Sequence, residues 1–244
     1  ISALNDWVKQ GGTLIAHNRS SRFIATNETL GDVKQLQDVL DKSIDYNFDL
    51  LREIYALEDN LDQEAALKHI VDLETTYPWE LNETNYSEDE LKNRDKWQSI
   101  FMPSGAFVAG RTDQKHWLTF GTPKTLPVLY GNYPVLMTGN NAEAPIRIGE
   151  LVENSDVNEF RTINWSTLPA GKDIKVRMSG LVWPEAAQRI ANSAYLTREQ
   201  VGKGQIILFA GEPNFRGSTR GTNRVWLNAI VYGPGLGTSP RIQL

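Results

Sequence analysis

The five residues Gln205-Ile206-Ile207-Leu208-Phe209 constrain this chain more than any other segment. After Gln205 they run apolar without alternation, the pattern of a strand at a sheet centre that is covered on both faces. A polar loop from Gly211 to Gly221 follows. From Thr219 the spacing of Val225, Leu227, Ile230 and Val231 predicts a helix, which Gly233-Pro234-Gly235 ends. Upstream, Ala106 to Ala109 continuing toward Asp113, Leu126 to Tyr130, Val135 to Thr138, Ile146 to Ile148 and Gly180 to Trp183 read as further strands, the last stopped by Pro184. Pro184 to Tyr195 suits a helix with proline at its first position. Strands alternating with helices imply a layered α/β domain.

The opening of the chain carries a related signal. Leu4, Trp7 and Val8 form one helical stripe, Gly11-Gly12 stop it, and Thr13 to Ala16 reads as a short buried strand. A helix leading into such a strand is the second half of a βαβ unit. Its first strand is therefore expected before Ile1, and the chain is expected to be a piece of a longer polypeptide. A length of 244 residues supports a core without staples, as one large domain or two small ones. The chain has no cysteine, which excludes disulfides, thiolate metal sites and cysteine nucleophiles. A net charge of −5 argues against nucleic acid as a partner. No apolar run reaches the roughly 18 residues that a membrane helix needs, so no membrane span is expected.

Charge divides the chain into three parts. Residues 1–26 carry a net +2, residues 27–100 carry 19 acids against 7 bases, and residues 101–244 carry a net +5. We read 1–26 and 101–244 as the α/β domain and 27–100 as an acidic helical insertion. Within the insertion, Leu30, Val33, Leu36, Leu40, Ile44, Phe48, Leu51 and Tyr55 keep three-and-four spacing, and Gln63 to Thr76 repeats it. Ser87-Glu88-Asp89-Glu90 has the spacing of a capping box and opens a third helix toward Trp97. The acidic face is either a solvated helix surface or a surface for a basic partner.

Few residues offer chemistry. His69 with Asp72 and Glu74 lacks the further histidine that a zinc site would need. His116 reads as a residue that packs a turn. His17 stands at the carboxyl end of the first strand, where α/β folds gather ligands. No Gly-x-Ser-x-Gly occurs, so His17 has no evident nucleophile to serve as a base. The 211–221 loop holds Asn214, Arg216 and Arg220 between a strand and a helix N-terminus, a position that attracts anions. It lacks the Gly-Lys-Ser/Thr ending of a Walker loop and is not Gly-x-Gly-x-x-Gly. It is either an anion site or a structural turn in which Arg216 pairs an internal carboxylate. Sequons at Asn18, Asn27, Asn82, Asn85 and Asn164 would matter only in a eukaryotic secretory protein.

Three segments carry a family resemblance: Leu4 to Ala16 (LNDWVKQGGTLIA), Met102 to Gly121 (MPSGAFVAGRTDQKHWLTFG) and Gly204 to Gly237 (GQIILFAGEPNFRGSTRGTNRVWLNAIVYGPGLG). Together they resemble the C-terminal region of bacterial M14-type zinc-carboxypeptidase-like proteins. There a domain similar to class I glutamine amidotransferases follows the peptidase domain. The resemblance implies a flavodoxin-like α/β fold that lacks its first strands here. An M14 peptidase holds zinc through His-x-x-Glu and a later His, and no histidine here has Glu at that spacing. Zinc is thus expected in an upstream peptidase domain, with no cofactor and no metal site in this segment. An amidotransferase would carry its cysteine just after the strand at 13–16, where this chain has His17-Asn18-Arg19.

The resemblance implies a non-catalytic accessory domain of a metallopeptidase, periplasmic or secreted, that packs on the peptidase domain or contacts peptide substrate. The alternative is a small-ligand module for a sugar or an anion, using His17, Asn214, Arg216 and Arg220.

Overall fold

A computed structural model describes residues 1–27, 29–57, 87–154 and 161–238. Its helices are α1 (Ser2–Lys9), α2 (Arg19–Ala25), α3 (Ser43–Leu57), α4 (Glu88–Ser99), α5 (Pro184–Ile190) and α6 (Arg220–Tyr232). The strands are β1 (Thr13–His17), β2 (Lys34–Gln35), β3 (Ala106–Thr112), β4 (Thr125–Tyr130), β5 (Leu136–Met137), β6 (Ala142–Ile148), β7 (Glu150–Glu153), β8 (Arg161–Ile163), β9 (Ser166–Leu168), β10 (Lys172–Lys175), β11 (Arg177–Ser179), β12 (Ala194–Val201) and β13 (Gly204–Phe209). The protein is mixed α/β, built on one large mixed sheet.

The apolar run at 205–209 lies inside that sheet. All six residues of β13 are buried, with β1 parallel on one side and β12 antiparallel on the other. Burying side chains such as Ile206, Ile207, Leu208 and Phe209 contributes about 1.5–3 kcal/mol each. From β1 the order is β1-β13-β12-β6-β3-β11, with β4 beside β3 and β5 joining β12 to β2. Among the described strands only β1 and β13 run parallel. β1 has β13 on one edge and, among the described residues, no strand on the other.

The expected Gly-Gly stop is present, and each glycine has its own cause. Gly11 takes φ 113°, which L side chains rarely adopt. Gly12 lies beneath Trp7, and a Cβ there would stand 2.5 Å from the indole. The capping box at Ser87 is formed in both directions, because the Glu90 carboxylate accepts from Ser87 N–H and Ser87 Oγ accepts from Glu90 N–H.

Three sequence expectations are corrected. The first concerns Leu30 to Lys42, which is not α-helix but holds β2 and two short 3-10 turns before α3. Gly31, at φ 102°, breaks the helical path, and Lys34–Gln35 pair with Leu136–Met137 of the main sheet. The apolar spacing survives because Leu30, Val33, Leu36 and Leu40 enter the same core cluster as the sheet. Second, the helix from Pro184 ends at Ile190, because Asn192 turns at φ 60° and Ala194 already belongs to β12. Third, no strand spans Gly180 to Trp183; β11 ends at Ser179, and Trp183 caps α5. The helix expected over Gln63 to Thr76, with His69, lies outside the described residues. No helix among those described is long and apolar enough to cross a membrane.

Candidate functional site

The parallel pairing of β1 with β13 brings their carboxyl ends together, with His17 opposite Phe209. In α/β sheets this is where ligands gather. The chain leaves β1 through Asn18 and enters α2 at once. The backbone of Asn18 has φ 51° and ψ −118°, a left-handed conformation that asparagine enters more readily than most residues but that is strained at this ψ. A strand, one strained residue and a helix make the sharp turn on which α/β hydrolases mount a nucleophile. Here the turn carries an amide.

Contacts from β13 hold the turn. Asn18 N–H donates to Phe209 O at 3.0 Å, and Ser21 Oγ donates to the same oxygen at 2.8 Å. The Asn18 Nδ2 donates to Glu212 Oε1 at 3.2 Å, tying the turn to the loop after β13. Gly211 lets this loop approach the sheet, since a Cβ there would stand 2.7 Å from the Tyr133 ring. Tyr195 lies fully buried beside it on β12, and its hydroxyl has no hydrogen-bond partner among the described residues. Burial pushes the Tyr195 phenol well above its ordinary range, with Tyr133, Tyr130 and Glu212 adding to the effect. Tyr133 is raised too, by burial and then by Glu212. The phenols beneath the turn therefore stay protonated and act as hydrogen-bond donors or apolar walls, not as bases.

The four residues expected to bind a ligand all lie at this end of the sheet without converging. His17 is exposed, and its ring stands edge-on to Trp226 at 5.7 Å; Trp226 in turn packs on Phe209 at 5.4 Å. Asn214, Arg216 and Arg220 are exposed. Among the described residues none of these three bonds to His17. Among the described residues Arg216 takes up no carboxylate. It adopts φ 49°, and its guanidinium lies 5.2 Å from the Phe215 ring centroid, a cation–π contact in place of an ion pair.

No family model, curated protein or solved structure matches this chain. Among the described residues no group of three or more His, Cys, Asp or Glu is placed to hold a metal. His116 packs a turn: its Nδ1 accepts the Leu118 N–H at 3.1 Å, and its Nε2 stands 3.2 Å from Glu143 Oε2. Arg198 meets the same carboxylate oxygen at 3.2 Å. The hydrogen bond from His116, helped by Arg198, holds the Glu143 carboxyl below its ordinary range.

Sequence reasoning missed Asn18, Glu212 and Tyr195. A positive φ at a non-glycine residue leaves no direct mark in a sequence. The nearest signal was an asparagine, one of the few residues tolerant of that region, set between an apolar strand and a serine-rich helix.

Proposed function

We propose that this chain is a non-catalytic accessory module of amidotransferase-like, flavodoxin-related α/β fold, belonging to a bacterial protein that resembles M14-type zinc carboxypeptidases. The single observation that carries the reading is Asn18. A strained strand-to-helix turn carries a side chain at the strand ends, and that side chain is an amide bonded to Glu212, not a hydroxyl or thiol beside a base. The edge of β1 that no described strand covers supports the accessory role, because it offers further polypeptide a ladder to join. Zinc would then be held upstream, and peptide substrate would meet this module only from outside the active site.

The decisive experiment reads the coding sequence ahead of Ile1. A His-x-x-Glu with a later histidine and an export signal is expected, and an initiator codon directly before Ile1 would refute the parentage. In parallel, the purified chain should hydrolyse no amide, ester or peptide. Turnover that disappears in His17→Ala would overturn the non-catalytic reading.

A second reading, a module that holds a small ligand, is favoured by the buried Tyr195 hydroxyl, which has no partner among the described residues. An orphaned buried donor is costly, about 1–3 kcal/mol, unless something satisfies it.

A further inference from the structure

Four segments line an open pocket of about 190 Å³ beside the strand-end turn: α2, the stretch from Gln35 to Gln37, the end of α4 and the loop from Asn132 to Val135, with Arg189 of α5 in its wall. Its lining contains two arginines, Arg22 and Arg189, and no aspartate or glutamate. That is notable in a chain with net charge −5, where a polar cavity would by composition meet acids more often than bases.

The two guanidiniums differ in kind. Arg189 is only 8% exposed and is already neutralised, its Nε and Nη2 donating to the two oxygens of Asp95 at 2.8 and 3.0 Å. Its Nη1 has no hydrogen-bond partner among the described residues. Arg22, one helical turn beyond Asn18, has neither an ion pair nor a side-chain hydrogen bond among those residues. Its charge is near enough to the buried Tyr130 phenol to oppose the upward shift that burial imposes there. The exposed Asn132 and Gln37 and the half-buried Tyr133 line the same space, and their side chains make no hydrogen bond among the described residues. The open pocket therefore presents the exposed Arg22 charge, unpaired among the described residues, and several solvent-facing donors.

We propose that this cavity binds a small organic monoanion through its carboxylate, with the Arg22 guanidinium as the charged partner. One excess positive charge matches one negative charge. The planar fork of arginine accepts the two oxygens of a carboxylate side by side. The amide and phenol donors would take the remaining lone pairs. The volume suits a ligand of a few heavy atoms, such as a short aliphatic carboxylate. This inference rests on the second reading above, that the module holds a small ligand, and not on the parentage of the chain.

The test is a titration of the isotope-labelled chain, followed by NMR, with propionate, propionamide and inorganic phosphate as separate probes. Propionate should cause saturable shifts in Tyr133 and the Arg22 side chain, with a dissociation constant of about millimolar order, as expected for so few atoms. Propionamide, the same shape without charge, should bind at least about tenfold more weakly. Arg22→Met should abolish the propionate response, Arg22→Lys should retain part of it, and Asn18→Ala should leave it intact. Equal binding of propionate and propionamide, or an undiminished response in Arg22→Met, would overturn the assignment. Saturable phosphate binding without propionate binding would overturn it as well. Loss of the response in Asn18→Ala with retention in Arg22→Met would move the ligand to the strand-end turn, overturning this site while keeping the ligand-binding reading. No response to any probe would overturn both.

Discussion

The strained turn at Asn18 makes a prediction opposite to ordinary experience with glycine. In regular structure, glycine is less stabilising than alanine by about 0.5–1 kcal/mol, because it loses more conformational freedom on folding. At Asn18, with φ 51° and ψ −118°, any L side chain also bears strain of about 1–3 kcal/mol. Asn18→Ala keeps that strain and removes the hydrogen bond to Glu212, a part-buried contact worth about 1 kcal/mol. Asn18→Gly removes the same bond but releases the strain, and gives back about 0.5–1 kcal/mol in chain entropy. With the strain at the middle of that range, about 2 kcal/mol, the balance leaves the glycine variant more stable than the alanine variant by about 1–1.5 kcal/mol. In a chain of this size that separates the melting temperatures by about 2–6 °C. Urea unfolding followed by circular dichroism reads the order directly from the midpoints, provided the slopes agree. An alanine variant equal to or more stable than the glycine variant would refute the elbow geometry, and with it the main support for the proposed function.

Other consequences are open to measurement. Tyr195→Phe deletes a buried hydroxyl that has no partner among the described residues, so it should raise stability by about 1 kcal/mol; a loss of similar size would mean that the hydroxyl is satisfied in solution. Asp95 and Arg189, 6% and 8% exposed, tie α4 to α5, and Arg189→Met alone should cost about 3–5 kcal/mol, whereas Asp95→Leu together with Arg189→Met should recover most of that loss in a double-mutant cycle. Glu199, 5% exposed, accepts the Asp32 N–H at 2.9 Å, yet burial raises its pKa above the ordinary 4.5. The folded state then holds its proton more tightly than the unfolded state. Stability from this group is therefore full below about pH 4.5 and declines as pH rises through the native value. Glu199→Gln should flatten that limb in unfolding curves recorded across the range; an unchanged slope would assign the pH dependence to other groups.

Elements whose cause is local were legible in the sequence. β13 follows from an uninterrupted apolar run, and α4 starts where a serine and a glutamate three residues on can bond each other's backbone. The stretch from Leu30 to Leu40 misled because its apolar spacing is equally good for a helix and for an irregular path that drops each leucine into one core. Gly31 was the available warning, since only its positive φ separates the two. Asn192 did the same for the false extension of α5, an asparagine taking φ 60° one residue past Ala191. The strand-end position of the candidate site was readable from His17, while its composition was not. Glu212, Tyr133 and Tyr195 come from three distant segments, and only the sheet order unites them. Arg22 was visible as a base on a short helix, but its lack of a counter-charge is a property of the assembled cavity.

The side of β1 that no described strand covers has a practical consequence. Thr13-Leu14-Ile15-Ala16-His17 carries no lysine, proline or bulge to deter pairing, and Trp7 and Phe23 on the helices to either side of it are 41% and 55% exposed. Such a border recruits whatever extended chain is most concentrated nearby. In a crowded preparation that chain is another copy of this one, so stock solutions of the isolated polypeptide should gel or cloud with time at high concentration. A short peptide that lies along β1 and ends in proline would keep them clear.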